Sequence, residues 1–415
     1  MKLSEELAWR GFMHQTTYKD ATALDGAPIT FFCGVDPSAD SMTVGNLATA
    51  MMIRRFIDHG HKAILLVGGA TGLIGDPDGK KQERDLLSVD DVARNKAAIV
   101  AQYQTLFADQ SFEVVDNYDW FKDFNYLDFL REVGKHVPLS QMLGREFVQE
   151  RLGDDGSGIS YAEFSYTLIQ GYDFLYLYRE KGVRLQVAGS DQWGNCISGV
   201  ELIRRAEGGE AHVWTTPLVV NKSTGVKFGK SESGAVWLAA DKTSPTAFYQ
   251  FWINCDDLGV ADYLKIYTLL SREEITAIMA KQQENPAARY AQTRLAEEVT
   301  RLVHGDAALL SAQRVTACLV GDASVGELDE AALTVLRAEI PAVQSSETGS
   351  LLEALVASGL AHSKGDARRL LKNNAIAVNG VKTTRETFSA DSFQHGRALL
   401  RRGKAYRDAA LVERV

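Results

Sequence analysis

The chain has 415 residues, 45% of them hydrophobic and 24% charged, and a formal charge of −9. That length carries two or three domains with a sizeable core, and the composition is that of a globular chain rather than a disordered one. The four cysteines (Cys33, Cys196, Cys255, Cys318) lie far apart with no CxxC pair, which argues against a zinc site or a disulfide framework.

No apolar run reaches the ~18 residues of a membrane span. The opening MKLSEELAWRGF lacks the apolar centre of a signal peptide, so a cytosolic protein without a membrane partner is expected. Ile29 to Gly34, ITFFCG, is an aromatic and β-branched run ending in glycine, which predicts a buried strand. A loop with Pro37 and Ser38 leads to a helix from Val44, with Leu47, Met51, Ile53 and Phe56 on one face and Gly60 past its end. A helix N-terminus facing a loop after a strand is a ready anion site.

Ala63 to Arg84, AILLVGGATGLIGDPDGKKQER, predicts a strand over Ile64–Val67, then a glycine-rich loop, Asp76, Lys80, Lys81 and Arg84. Exposed backbone N–H groups with Lys and Arg suit phosphates, although no GxxxxGK[ST] occurs. Asp116 to Leu143 is aromatic-rich (Trp120, Phe121, Phe124, Phe129) and predicts helical core, with any exposed part open to a subunit interface. Tyr161 to Leu177 has helical periodicity and sets Tyr166, Gln170 and Asp173 on one face. A phenol, an amide and a carboxylate amid apolar neighbours are costly to bury unless they bind something.

Leu185 to Val187 predicts the end of a buried strand, after which Ala188, Gly189 and Ser190 turn and Asp191, Gln192 and Trp193 open a helix through Ile197. In open α/β sheets ligands bind beyond the carboxyl ends of strands. Gly189 permits that approach, and Asp191 offers a carboxylate to a ribose diol. Val213 to Val220 predicts a strand before NKSTGVKFGKSESG, whose Lys227 and Lys230 lie among Gly225, Gly229 and Gly234 and can close over a triphosphate.

Ser244-Pro245 opens a helical region, Ser271 with Glu274 forms a capping box, and helical spacing continues to Gly305. Residues 326–348, ending QSSETGS, read as a linker. Beyond it lie an amphipathic helix (Leu351–Leu360), a second helix capped by Ser363, a strand (Ala375–Val378), an Asn379-Gly380 hairpin and a final basic strand, LLRRGKAYR. Residues 361–415 carry 12 Lys/Arg against 5 Asp/Glu, or +7, which leaves −16 elsewhere. A basic tail on an acidic body suggests a polyanionic partner met through the tail.

Several of these blocks together resemble the bacterial-type tyrosyl-tRNA synthetases of class I. The string RLQVAGSDQWGN (184–195) marks that family, and the stretches at 63–84 and 161–177 follow its pattern. Lys227-Phe228-Gly229-Lys230-Ser231 stands for the second class I signature, usually KMSKS. The first signature, usually HIGH, reads Thr43-Val44-Gly45-Asn46, with both histidines absent. Asn46 and Thr43 carry donors that can fill a hydrogen-bonding role.

The resemblance runs the length of the chain and implies an α/β fold. Its parts are a Rossmann-like parallel-sheet catalytic domain (1–240), an all-helical anticodon-side domain (241–325), the linker (326–348) and a small S-four-like RNA-binding α/β module (349–415). It implies a homodimer that joins tyrosine to tRNA-Tyr, using ATP with Mg2+ and no tightly bound metal. Implied around tyrosine are Phe32, Gly34, Asp36, Asp76, Tyr166, Gln170, Asp173 and Gln186, with Asp173 accepting the phenol OH. Family members commonly carry tyrosine where Phe32 stands. Implied around ATP are Gly45, Gly189, Asp191, Gln192 and Lys230. Implied in catalysis are Ser38, Thr43, Asn46, Lys80, Arg84, Lys227, Lys230 and Ser231. Lys364, Arg368, Arg369, Lys372, Arg401, Arg402 and Lys404 are implied to face tRNA. Two rivals remain. An inactive relative that binds tRNA or structured RNA draws on the missing histidines, and a sister enzyme for tryptophan is disfavoured by GSDQWGN, Asp173 and the basic module.

Overall fold

The computed structural model describes residues 1–76, 87–152, 158–231, 234–321, 323–403 and 408–415. The chain forms two compact units, one of residues 1–239 with 256–291 and one of residues 240–255 with 292–415. The helical stretch expected over 241–325 is thus divided between them.

The first unit is built on a six-stranded sheet: β1 (Gln15–Thr16), β2 (Thr30–Val35), β3 (Lys62–Val67), β4 (Phe112–Asp116), β5 (Leu185–Gly189) and β6 (His212–Thr216). Their spatial order is β1-β6-β5-β2-β3-β4, parallel throughout except for the short edge strand β1. β2, β3 and β5 are nearly continuous apolar runs because helices cover both faces of a parallel sheet. From β2 the chain builds outward to β3 and β4, then returns to lay β5 and β6 on the other side. That reversal makes the β2–β5 seam the switch point, where the carboxyl ends of strands diverge and leave a crevice.

Four helices frame the crevice: α1 (Val44–Asp58), α2 (Val89–Leu106), α3 (Tyr161–Lys181) and α4 (Trp193–Glu207). Ser160 and Glu163 close a capping box on α3, and Gly182 ends it at φ 65°. Glu163 is also held by both terminal nitrogens of the buried Arg151, at 2.8 Å each. The register of α3 over the crevice is therefore fixed at its first turn. β6 ends at Thr216, short of the expected Val220, because the chain leaves the sheet at Pro217. The helix begun at Trp193 runs ten residues beyond the expected Ile197, to Glu207, passing through Gly199 and ending at Gly208, which has φ 65°.

In the second unit, α5 (Tyr290–Val320) is broken at Gly305, where φ is 82° and ψ 171°. Residues 326–348 are not a linker. They hold α6 (Glu330–Glu339), capped by Asp329, and β9 (Ala342–Ser345). Then follow α7 (Leu351–Ala357), α8 (Lys364–Lys372), β10 (Ile376–Val378), β11 (Val381–Lys382), β12 (Arg397–Arg402) and β13 (Ala409–Arg414). The five strands are ordered β11-β10-β12-β13-β9, with β9 parallel to β13. The basic strand expected last therefore ends at Arg402, and the last strand is the apolar β13. Leu333 and Leu336 of α6 share one core with Val315 and Leu319 of α5 and with Leu399 and Leu411 of the sheet.

His304, on α5, meets Phe248 edge-on at 4.8 Å, and its Nε2 is buried with no partner among the described residues. Burial pushes its pKa down to about 4. The unfolded chain takes up this proton near 6.5 and the folded one does not. The stability it supports is complete above that pH and is lost as pH falls toward 4. Going from pH 7 to pH 5 should cost the second unit about 2 kcal/mol through this residue. His304→Leu should flatten that part of a pH series of unfolding midpoints.

Candidate active site

A cavity of about 300 Å3 opens at the β2–β5 switch point. Its walls come from the carboxyl ends of β2, β3, β5 and β6, the first turn of α1 and one face of α3. Sixteen of the expected residues line it: Phe32, Gly34, Asp36, Ser38, Thr43, Gly45, Asn46, Asp76, Tyr166, Gln170, Asp173, Gln186, Gly189, Asp191, Gln192 and Lys227.

At one wall, Asp173 is 2% exposed. Trp120 Nε1 donates to its Oδ1 at 2.9 Å and Asn117 Nδ2 to its Oδ2 at 3.1 Å. Burial pushes this carboxyl well above the usual range, and the two donors pull against that rise. Trp120 was expected only as core, and Asn117 carried no expectation. Both come from just beyond β4, and the signal available is a pair of N–H donors among the aromatic residues of that stretch. Phe32 stands edge-on to Phe174 at 5.1 Å and supplies no hydroxyl.

The middle of the cavity is a chain of polar side chains. Tyr166 donates to Asp36 Oδ2 and Thr71 to Asp36 Oδ1, both at 2.7 Å. Burial first, then Asp36 and Asp76, push the Tyr166 phenol well above its ordinary pKa, so it stays a donor. A Cβ at Gly68 would collide with Thr71 Oγ1 and Asp36 Oδ1, which is why glycine follows β3 here. Gln192 Nε2 donates to Asp76 at 2.7 Å, and Gln192 Oε1 accepts from Gln170 at 3.4 Å and from Asn195 at 3.2 Å. Gln170 Oε1 is buried with no partner among the described residues. Such an acceptor costs about 1–3 kcal/mol until a donor reaches it. Cys33 also lines the cavity, but burial pushes its thiol up to about 12, so it offers no thiolate nucleophile.

At the mouth, Thr43 caps α1 and is bonded to Asn46: Thr43 N and Oγ1 both donate to Asn46 Oδ1, at 2.9 and 2.8 Å. Across from them Lys227 Nζ lies 3.9 Å from Asp191 Oδ2, both side chains about half-exposed. The loop bearing Lys227 is anchored twice. Phe228 stacks on Tyr263 with ring centroids 4.2 Å apart, and Val236, just past the loop, accepts from Val44 N at 3.0 Å. Gly229 has φ 90°, and a Cβ there would press on Val44 and Gly45. Lys230 and Ser231 form β7, paired with β8 (Gly234–Ala235), but their side chains lie outside the described residues. Lys80, Arg84 and Lys404 also lie outside the described residues.

In the second unit, Lys364, Arg368, Arg369 and Lys372 project from α8 and are exposed. The first three pair with Glu353, Glu386 and Asp366 at 2.8, 3.1 and 2.7 Å. Exposed pairs of this kind are worth about 0–1 kcal/mol, so a polyanion can compete for the cations. Arg402 instead holds the Leu360 carbonyl at 3.0 Å and Asp408 at 3.1 Å, and Arg401 is half-buried. Among the described residues no group of three His, Cys, Asp or Glu side chains could hold a metal, and no helix is long and apolar enough to cross a membrane.

A switch-point cavity combining a buried carboxylate pocket with a helix N-terminus and a lysine loop defines a nucleotide-using α/β enzyme. Residues 24–321 match the family model of the tRNA synthetases class I (W and Y), and residues 333–407 match the tyrosine–tRNA ligase SYY-like C-terminal domain. Over 97% of its length the chain is 45% identical to a tyrosine–tRNA ligase of Geobacillus stearothermophilus and 43% identical to one of Limosilactobacillus fermentum, covering 98% of each. Among solved structures it is similar to a C-terminally truncated mitochondrial tyrosyl-tRNA synthetase of Aspergillus nidulans. The TM-score is 0.68 at 30% identity, over 75% of this chain and 92% of that one. A tryptophanyl-tRNA synthetase of Encephalitozoon cuniculi shares the fold, with a TM-score of 0.53 at 14% identity over 75% of this chain and 88% of that one. The chain belongs to the tyrosine–tRNA ligase family of class I aminoacyl-tRNA synthetases.

Proposed function

We infer that this protein is a tyrosine–tRNA ligase, and that the cavity at the switch point performs both of its steps. The observation that carries this is the convergence of separate sequence blocks on one cavity, with a buried hydrogen-bonded carboxylate at one wall and Lys227 with the α1 N-terminus at the mouth. In the first step the tyrosine carboxylate attacks the α-phosphate of ATP, forming tyrosyl-adenylate and releasing pyrophosphate. In the second, a 3′-terminal ribose hydroxyl of tRNA-Tyr attacks the adenylate carbonyl and AMP leaves.

Asp173, held on both oxygens, accepts the phenol OH of tyrosine. Asp76, Tyr166 and the unpaired Gln170 Oε1 face its ammonium, with Asp36, Gly34 and Gln186 completing the pocket. Asp191 and Gln192 take the ribose beside Gly189, and the first turn of α1 at Gly45 meets the triphosphate. Ser38, Thr43, Asn46, Lys227 and Lys230, with Ser231, Lys80 and Arg84, serve the phosphates as charge moves onto pyrophosphate. Such chemistry needs positioned donors more than a nucleophile. Mg2+ enters with ATP on the phosphate oxygens, as this hard cation commonly does. A cytoplasmic homodimer goes with this function, joined through 116–143, where Tyr118, Tyr126, Leu127 and Leu139 are exposed. The cations of α8 meet tRNA.

ATP–pyrophosphate exchange with each of the twenty amino acids tests the function. Tyrosine alone should drive it fully, with a trace from phenylalanine. An unpaired buried acceptor separates these two by about 1–3 kcal/mol, or roughly 5- to 150-fold. Phe32→Tyr, which adds a hydroxyl facing the same cavity, should widen that ratio. No tyrosine-dependent exchange in the folded wild type would leave the RNA-binding relative.

A further inference from the structure

The two residues that stand in place of the signature histidines are not equivalent. A hydroxyl has one proton, and that of Thr43 goes to Asn46 Oδ1. The Thr43 N–H goes to the same Oδ1. Two donors on one oxygen fix which end of the amide is which, so Nδ2 is the end left to a ligand. Thr43 itself is held by its backbone: it bridges Trp237, Val44 N donates to Val236 O at 3.0 Å, and Leu238 N donates to Met42 O at 2.9 Å.

We propose that Thr43 serves tyrosine activation through Asn46, as a positioning residue: its hydroxyl locks the Asn46 amide with Nδ2 toward the phosphates. This rests on the function proposed above. An Asn amide, unlike an imidazole, presents a donor or an acceptor according to its flip. Toward phosphate oxygens only one flip is attractive, and an acceptor turned that way repels. The Thr43–Asn46 pair therefore works as one unit, with the donor at position 46 and its orientation set from position 43. Thr43 and the stretch after the lysine loop share backbone hydrogen bonds, so the same pairing ties the amide's orientation to the place of that loop.

The test is a double-mutant cycle on the full chain, reading kcat and both KM values of tyrosine-dependent ATP–pyrophosphate exchange. Asn46→Ala should lower kcat roughly 10²-fold, the scale for one donor to developing charge. Thr43→Val keeps the shape of the side chain and removes its proton, and should lower kcat roughly tenfold. Thr43→Ser should restore it to about the wild-type value. The double variant Thr43→Val/Asn46→Ala should match Asn46→Ala within about twofold, because residues acting as a unit do not add. The KM for tyrosine should stay put in all four, a split that general damage to the fold would not give. Losses that multiply in the double variant, or a Thr43→Ser as impaired as Thr43→Val, would overturn the positioning role while leaving the function intact. A wild-type protein without exchange would overturn the function, and this role with it.

Discussion

Replacing Lys227 with alanine is expected to lower kcat for tyrosine-dependent exchange by about 10²–10³-fold and to leave the KM for tyrosine within about twofold. The lysine stands at the mouth of the cavity, and its contact with Asp191 at 3.9 Å is half-exposed. Such a contact holds the ammonium by no more than about 1 kcal/mol. Triphosphate oxygens gaining charge in the transition state compete easily with it. The main chain around the lysine is far better held, by Phe228 on Tyr263 and by the pairing of Val236 with Gly229 and Val44. A movable charge on a fixed support costs little reorganisation when the pyrophosphate leaves. In the proposed function tyrosine sits at the wall of Asp173 and not at the mouth, so it has no reason to feel the change. Exchange kinetics equal to the wild type would refute the assignment.

Deleting residues from 323 onward is expected to cut tRNA charging by at least about 10²-fold while tyrosine activation persists, since four exposed cations of α8 go with the deletion. The choice of cut matters. A deletion from 346 leaves Leu333, Leu336 and Ile340 in place and takes away Leu399, Ala409 and Leu411, which share their core. Each such side chain left uncovered costs about 1.5–3 kcal/mol. A cut at 323 instead uncovers Val315, Cys318 and Leu319 of the same core, so both fragments should have a lower unfolding midpoint than the full chain. Charging by the full-length protein should also fall steeply with salt. Undiminished charging after the deletion from 323 would assign tRNA binding elsewhere.

Much of the fold is legible because its signals are local. Apolar runs ending in glycine mark β2 and β5, and the Ser271–Glu274 box marks a helix start that the structure contains. Asn379 and Gly380 have φ of 49° and 80°, as a two-residue hairpin turn requires. The strands of unlike character were harder. β4 carries exposed residues on a sheet edge and has little apolar pattern. β9 is a strand only because β13, far along the chain, pairs with it, so nothing within 326–348 announces it. In α6, by contrast, the Asp329 cap and the Leu333–Leu336 spacing are local signals, next to the polar QSSETGS that reads as linker. The site follows the same division. Tyr166, Gln170 and Asp173 declare themselves by spacing on one helix. The groups that hold Asp173, Asn117 and Trp120, stand more than fifty positions away and belong to it only through the fold. The sequence blocks supply the residues that line the cavity, and long-range packing supplies the ones that hold them.

The parallel pairing of β9 with β13 has a consequence for the order in which this protein can be made. Residues 240–255 leave the ribosome early, yet they belong to the unit whose last strand is Ala409–Arg414. Phe248, fully buried in the finished unit, must wait at least for His304, 56 positions further on, which is on the order of three to ten seconds of synthesis. The first unit has all of its residues once position 291 has emerged. Nascent chains of this protein thus carry a completed catalytic half beside an unclosed, aromatic-rich segment. That interval, rather than the mature fold, is when a chaperone has most to hold.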